Sequence, residues 1–550
     1  MRIALCQIDT TVGDFAGNTR RIVDYAQRAA QQGAELAVFP ELAVCGYPPE
    51  DLLVRAAFLD AHDAALAALA ASVPPELDVL VGCVTKNTEA LQRGGRPLHN
   101  AVAYLRGGRI RIVARKTLLP TYDVFDESRY FEPCRAPEAN FVDLRGHRVG
   151  IVVCEDGWND ELFFGQRAYA VDPVERVAQA GAELIVNLSA SPWERGKEEF
   201  RYRMVAAAAS RHRVPMLYVN MVGGDVGLQF DGGSLAVKST GVACQPVWWA
   251  EQLVVVDTAA PWTETPQWPG LEAMQHAAIA QGIAAYVHKF GFHDVVIGLS
   301  GGIDSALVAT LAVDALGKEH VVGIAMPSAH SSDHSLEDAR QLAKSLGIEF
   351  HVLPIEPLQD AFAQVLRPVF AGTEPGTAEE NLQSRARGTL LMAFANKHGH
   401  LVLTTGNKSE CAVGYCTIYG DTNGALAPIA DLWKTEVWAL ARWLNRDGER
   451  IPQRSIDKPP SAELRPGQLD ADSLPPYAEL DPVLRCLVEE ELSVAATTAR
   501  TGMASERVAA LFAQVQDAEW KRSQYPPTVK LGKRCWNGRR MPVSHRYRER

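Results

Sequence analysis

Glu41, Lys116 and Cys154 each stand where an apolar run stops. Leu36-Ala37-Val38-Phe39-Pro40 closes on Glu41, Ile110–Arg115 closes on Lys116, and Val149–Val153 closes on Cys154. Strand ends are where loop-borne chemistry sits on a rigid frame. A carboxylate, an ammonium and a thiol there form a set able to cleave an amide. Glu41 takes the thiol proton and later passes a proton to the leaving amine. Cys154 attacks the carbonyl as thiolate and forms a thioester. Lys116 stabilises the oxyanion, and its charge draws the thiol pKa down. Taken singly the three residues are ordinary. A cysteine after a buried strand is more often a small core residue, and a strand-end Glu or Lys is usually solvated.

A second constellation, Ser300-Gly301-Gly302-Ile303-Asp304-Ser305, joins the apolar run Val295–Leu299 to an apolar helical stretch. Glycines let the backbone turn tightly and approach an anion. The free N–H groups at the helix start favour a phosphate, and Ser300 and Ser305 add hydroxyls. Asp304 would repel phosphate unless a cation lay between them, so Mg²⁺ is implied. No Gly-Lys-Ser/Thr closes the turn, and it is not GxGxxG. For Gly-Gly alone, a plain turn with Asp304 as helix cap is the better reading; the whole strand–turn–helix unit favours phosphate.

Further on, Glu379-Glu380-Asn381-Leu382-Gln383-Ser384-Arg385-Ala386-Arg387-Gly388 opens a predicted helix. Asn381 and Arg385 share one face, Gln383 and Arg387 another. Arginine pairs suit phosphate or carboxylate, although such spacing more often means a solvated face. Thr404-Thr405-Gly406-Asn407-Lys408-Ser409-Glu410 follows Leu401-Val402-Leu403. It sets a hydroxyl, a cation and a carboxylate where a parallel sheet binds its ligand.

The elements that must position these groups are legible as alternating patterns. Ile3–Ile8, Leu36–Phe39, Val79–Val84, Ile110–Ala114, Val149–Cys154, Leu184–Leu188 and Met216–Val219 read as buried strands. Thr19–Gln32 and Pro173–Ala180 read as helices. Residues 258–270 break both periodicities with three prolines and a glycine, as a connection between domains would. Beyond it, strands Asp294–Leu299, Val321–Met326, Glu349–Leu353 and Leu401–Thr405 alternate with helices Ser305–Leu316, Ser335–Leu346 and Glu379–His398. That alternation predicts a doubly wound parallel sheet. Residues 454–476, rich in proline and charge, read as a mobile loop. The segment 530–550 carries eight Lys/Arg against one Glu, which suits either a solvated tail or phosphate contact.

With 550 residues, 47% of them hydrophobic and 22% charged, the chain has the composition of a globular protein of two to four domains. A net charge of −11 argues against a general nucleic-acid binder. No apolar run reaches membrane-spanning length. Met1–Asp9 shows no n-region, h-region or cleavage site, so a cytoplasmic protein is expected. The ten cysteines form no CxxC pair and no metal-type spacing.

The local wording adds to this. Phe39-Pro40-Glu41-Leu42 with Gly46-Tyr47-Pro48, Arg115-Lys116-Thr117-Leu118-Leu119-Pro120, and Cys154-Glu155-Asp156-Gly157-Trp158 resemble, in family order, the nitrilase superfamily of carbon–nitrogen hydrolases. That resemblance implies an α-β-β-α sandwich over residues 1–257 and a Glu-Lys-Cys triad at Glu41, Lys116 and Cys154. Tyr122–Glu127 and Asn187–Pro192 are similar to the glutaminase branch, which implies that Tyr122, Ser191 and Lys197 hold glutamine. Thr121 and Asp123 depart from that branch's Asn-Tyr-Gly.

The strand–SGGIDS–helix unit resembles the PP-loop ATP pyrophosphatases, which adenylate a substrate oxygen. ENLQSRARG, TGNKSE with GYCTIYGD, and Lys458–Gln468 narrow the likeness to the NAD⁺ synthetase family over residues 271–550. It implies a parallel-sheet adenine-nucleotide alpha-hydrolase-like domain. Gly298, Leu299, Ser300, Gly301, Gly302, Ile303, Asp304, Ser305 and Thr405 would contact ATP. Asn381, Arg385, Glu410, Asp421 and Lys521 would contact deamido-NAD⁺, and Asp304 and Glu410 would hold Mg²⁺. The expectation is an α/β enzyme that amidates deamido-NAD⁺ with glutamine-derived ammonia. It needs no redox cofactor, binds neither nucleic acid nor membrane, and forms a homo-oligomer. Two alternatives stay open: another PP-loop amidotransferase, and a catalytically dead sensor of nucleotide and glutamine.

Overall fold

Alternation of side chains builds the first half of the molecule. Along the strand Arg2–Gln7, Ile3 and Leu5 enter one buried cluster while Ala4 and Cys6 enter another on the opposite face. In the computed structural model, which describes residues 1–225 and 227–549, the chain forms two compact units, Met1–Pro269 and Gly270–Arg550.

The strands of the first unit are β1 (Arg2–Gln7), β2 (Leu36–Val38), β3 (Asp78–Lys86), β4 (Leu98–Arg106), β5 (Arg109–Arg115), β6 (Phe141–Leu144), β7 (His147–Val153), β8 (Leu184–Ser189), β9 (Met216–Asn220), β10 (Val222–Asp225), β11 (Leu228–Asp231), β12 (Leu235–Lys238), β13 (Gly241–Val242) and β14 (Gln252–Asp257). They make two six-stranded sheets, β14-β1-β2-β3-β4-β5 and β13-β12-β9-β8-β7-β6, with β10 and β11 as a separate hairpin. Leu36, Val38 and Leu80 from one sheet and Ile151, Val153, Val186 and Leu188 from the other fill the layer between them. Helices Phe15–Gln31 and Ala56–Ser72 cover one outer face; Pro173–Gln179 and Lys197–His212 cover the other. This is the expected α-β-β-α sandwich. A one-residue slip of β7 would turn Ile151 and Val153 out of the core, so packing fixes the register that delivers Cys154.

Several strands escape the sequence reading. β4 is an added antiparallel strand between β3 and β5. The short strands β10 to β13 lie in a glycine-punctuated stretch. Residues 258–269 belong to the first unit, where Trp262 enters the inter-sheet core.

The second unit has a parallel sheet of β15 (Val295–Gly298), β16 (Val321–Ala325), β17 (Glu349–Val352) and β18 (Leu401–Leu403), in the order β17-β16-β15-β18. The order reverses between β15 and β18, so their carboxyl ends form the crevice where open α/β sheets take ligands. SGGIDS leaves β15 there and TGNKSE leaves β18. A helical core around Trp433, Leu480, Leu484 and Phe512 supports the crevice. Among the described residues no helix is long and apolar enough to cross a membrane.

Candidate active sites

β2, β5 and β7 end side by side. The loop after β2 crosses β3 closely enough that a Cβ on Gly82 would lie 2.2 Å from Leu42 N, so only glycine fits there. Glu41 and Lys116 are fully buried, and Lys116 Nζ lies 2.8 Å from Glu41 Oε1. The same ammonium reaches Glu127 Oε1 at 2.7 Å, and Tyr47 donates to that oxygen at 2.9 Å. Asn100 on β4 donates to Glu41 Oε1 at 2.7 Å, and the Ala190 amide donates to Oε2 at 3.0 Å. Two carboxylates thus share one ammonium in a dry site, where each remaining lone pair matters.

Cys154 sits at φ +46°, in the left-handed region, as the first residue of a single 3₁₀ turn. That conformation is unfavourable for a residue with a Cβ and persists only when its surroundings impose it. Asn187 on β8 accepts from Cys154 N at 2.7 Å and donates to Cys154 O at 3.2 Å. Asp156 binds the turn to the neighbouring strand end. Its Oδ1 accepts from Thr117 N and Leu118 N at 2.9 and 2.8 Å, and its Oδ2 from Val153 N at 3.0 Å. The residues flanking the thiol and the ammonium are therefore pinned to one side chain.

The groups around the thiol act on it in opposite directions. Burial raises its pKa well above the usual value, and the charges of Glu41 and Glu127 add to the rise; Lys116 pulls it down without prevailing. The lowered pKa expected from Lys116 alone is corrected in that sense, and the proton must leave to a base at the moment of attack. Burial also pushes the Glu127 carboxyl up, with Lys116 opposing.

Of the residues expected to hold glutamine, Tyr122 and Lys197 act on Glu155, the neighbour of Cys154. Tyr122, half exposed, donates to Glu155 Oε2 at 3.0 Å, and Tyr169 donates to Oε1 at 3.0 Å. The Lys197 charge acts on the same carboxyl, while Lys197 Nζ donates to Pro192 O at 2.8 Å and lies 5.1 Å from the Trp158 ring. Ser191 is buried, and its amide donates to Asn220 Oδ1 at 2.9 Å.

In the second unit the carboxyl ends of β15 and β18 open into a cavity of about 620 Å³, the size of a small-ligand pocket. Gly298, Leu299, Ser300, Gly302, Ile303, Asp304, Ser305 and Thr405 line it, as do Asn381, Glu410, Asp421 and Lys521. Gly301 does not: it turns at φ +77°, where a Cβ would lie 2.3 Å from Ser335 O, and its carbonyl accepts from Ser455 Oγ. Arg385 also lies outside the lining, its Nε donating to Ile418 O at 3.2 Å, whereas Arg387 lines the cavity. Lys521 Nζ donates to Gly414 O and Cys416 O, each at 2.7 Å, just past the end of the helix Lys408–Val413. Burial raises the Asp421 carboxyl to about 6.

Lys408 departs from the expectation that TGNKSE offers its cation to a ligand. It is fully buried away from the cavity, with Nζ 2.6 Å from both Asp431 and Glu489 and 5.0 Å from the Trp433 ring. Lys434 does face the cavity, as do Arg387, Lys458 and Lys521. The Lys434 Nζ lies 2.5 Å from Asp304 Oδ2 and 3.5 Å from Glu410 Oε1. Nothing in the sequence near Asp431-Leu432-Trp433-Lys434 marks it beyond a lysine that closes an apolar run.

The segment read as a mobile loop is tied across the cavity. Lys458 Nζ donates to Ser335 Oγ at 2.6 Å and pairs with Glu463 at 2.7 Å, and Gln383 Nε2 donates to Leu464 O at 2.8 Å. The basic tail folds back. Leu531 N and Gly532 N donate to Asp431 Oδ2 at 2.6 and 2.7 Å, and Arg534 pairs with Glu491.

A carbon–nitrogen hydrolase family model matches residues 2–267, and an NAD synthase family model matches residues 275–525. The chain is similar to the glutamine-dependent NAD(+) synthetase of Synechocystis sp., 46% identical over 556 residues and 99% of each chain. It is also similar to the enzyme of that name from Xanthomonas campestris, 42% identical over 100% of this chain and 98% of the relative. The solved glutamine-dependent NAD⁺ synthetase of Acinetobacter baumannii, in complex with ADP, superposes with a TM-score of 0.75 at 34% identity over 98% of both chains.

Proposed function

Because the chain belongs to the family of glutamine-dependent NAD⁺ synthetases, we propose that its two sites divide the reaction as follows. At the first, Cys154 attacks the side-chain amide of glutamine while Glu41 takes the thiol proton. Lys116 faces the oxyanion, and Glu127 holds Lys116 from the other side. Ammonia leaves with a proton from Glu41, and water then hydrolyses the thioester to glutamate. The Glu155 carboxylate suits the α-ammonium of the substrate. Tyr122, Ser191 and Lys197 complete the pocket.

At the second site the nicotinate carboxylate of deamido-NAD⁺ attacks the α-phosphorus of ATP, and pyrophosphate leaves. Ammonia then attacks the acyl adenylate, giving NAD⁺ and AMP. Ser300, Gly302 and Ser305 and the start of the helix Ile303–Leu316 offer donors to phosphate. Asn381, Asp421 and Lys521 border the part of the cavity left for the dinucleotide.

The donor set suits Mg²⁺, which takes one or two carboxylates together with phosphate oxygens. Asp304 and Glu410 would hold it, and it would neutralise the charge that develops on the phosphates. Among the described residues no three His, Cys, Asp or Glu side chains converge to hold a metal unaided.

The observation that carries this reading is the pairing, in one chain, of a buried Glu-Lys-Cys site with a glycine-turn cavity at a sheet switch point. Incubation with ATP, Mg²⁺, glutamine and deamido-NAD⁺ should yield NAD⁺, AMP, pyrophosphate and glutamate by mass; ADP and phosphate in place of AMP would refute the adenylate step.

A homo-oligomer belongs to the same proposal. The helix Glu356–Phe370 has no buried residue, and its apolar face leaves Val365 and Val369 75% and 73% exposed. It leads into the helix Thr377–His398, which lines the cavity, so a second copy seated there would adjoin the site. Replacing both valines by glutamate should lower the sedimenting mass, and an unchanged mass would exclude this face. The ten cysteines are all free, which suits the cytoplasm.

A further inference from the structure

We propose that the Lys434 ammonium is a built-in counter-cation, so that a divalent cation enters between Asp304 and Glu410 only as Lys434 leaves them, and that the nucleotide phosphates favour this exchange by receiving the displaced ammonium. The inference rests on the reading of this cavity as the ATP site and adds an exchange of cations to it.

The geometry is that of a cation site filled from within. Lys434 is fully buried, and its Nζ bridges Asp304 Oδ2 at 2.5 Å and Glu410 Oε1 at 3.5 Å. The remaining oxygens of both carboxylates are directed by one residue. Asn407 Nδ2 donates to Asp304 Oδ1 at 3.0 Å, and Asn407 N donates to Glu410 Oε2 at 3.3 Å. Both carboxylates are therefore aimed at the ammonium.

A third carboxylate lines the same cavity. Asp470 is 5% exposed; its Oδ2 accepts from Tyr477 at 2.9 Å, and Tyr415 bonds the same carboxylate. Asp304 and Glu410 converge on one ammonium, and the charge of Asp470 acts on the same lysine. A dication bound to the same two carboxylates would lie a few ångström from Nζ, where the two cations repel one another. The lysine stem is flexible, and Lys434 borders the cavity that also holds the glycine turn. With a triphosphate present the displaced ammonium gains a new anion; without one it has none. Metal and nucleotide then each bind better in the other's presence, by the same factor.

The test uses Mn²⁺ alone as probe, with full-length protein and no nucleotide, and free Mn²⁺ read by electron paramagnetic resonance. Lys434→Met should bind Mn²⁺ about tenfold or more tightly than the unaltered chain, because two partly buried carboxylates have lost the ammonium they share. Lys434→Arg, which keeps the charge, should not, and adding Asp304→Asn to Lys434→Met should remove the gain. Equal or weaker binding by Lys434→Met, or by Lys434→Gln if the first does not fold, overturns the exchange. In the unaltered chain, saturating Mg²⁺ without nucleotide should raise acetylation of Lys434 several-fold by peptide mass; constant labelling also overturns it. Because no nucleotide is present, either result is separable from failure of the product analysis.

Discussion

A Cys154→Ala chain should make no measurable NAD⁺ from glutamine, yet make it from high ammonium at close to the unaltered rate. Removing the nucleophile of a covalent mechanism costs on the order of 10⁴-fold or more, because the base and the oxyanion donor have nothing left to act on. The substitution itself is mild. Cys154 already holds its φ of +46° with a Cβ, and both bonds to Asn187 come from its backbone. Glu41, Lys116 and Glu127 therefore keep their mutual contacts at 2.8 and 2.7 Å. The acyl-adenylate chemistry uses residues of the other unit, so externally supplied ammonia should still be captured. In this variant the ammonium-driven rate should climb with pH in step with the unprotonated fraction, since NH₃ is the attacking species. Loss of both activities in a folded Cys154→Ala chain would refute the division of labour.

Each site is built on a buried lysine shared by two carboxylates, and the difference between them follows from geometry. Lys116 sits between Glu41 and Glu127 at nearly equal distances, with Tyr47 and Asn100 binding the same acids. Every partner there is protein, so the ammonium stays as a fixed charge beside the thiol. Lys434 sits unevenly, close to Asp304 and farther from Glu410, on the lining of a cavity.

What the sequence made legible divides along the same line. Glu41, Lys116, Cys154 and Asp304 stand directly after strands or at a helix start, where alternation and glycine spacing expose them. Alternating strands and helices likewise announced the parallel sheet of the second unit. Glu127 lies in an irregular stretch that no periodicity marks, and it becomes a site residue only because Tyr47 and Lys116 meet it from 80 and 11 positions away. Asn100 sits on β4, an antiparallel strand whose pairing with β3 and β5 cannot be read from local pattern. Lys408 and Lys434 show the limit most clearly. The first lies in a recognisable motif and is buried as scaffold; the second closes an apolar run and faces the ligand cavity. Which lysine turns outward is set by Asp431, Glu489 and the returning tail, all distant in sequence.

Asp304→Ala stops NAD⁺ formation with glutamine and with ammonium alike, by about 10² to 10³-fold, the loss usual when one preorganised electrostatic group leaves a transition state. The equality of the two losses is the informative part. A residue serving only ammonia delivery would spare the ammonium-driven rate, and one serving only glutamine cleavage would do the same. Asp304 is held by Asn407 at 3.0 Å and by Lys434 at 2.5 Å, at the first turn of the helix that follows the glycine turn. Without it Lys434 keeps only Glu410, and the expected Mg²⁺ site loses one of its two carboxylates. Asp304→Asn separates the two contributions: the amide still meets Asn407 but no longer attracts a cation, so its rate should fall as far as that of alanine. If asparagine instead restored most of the activity, shape rather than charge would be what Asp304 supplies, and its place as a metal ligand would have to be given up.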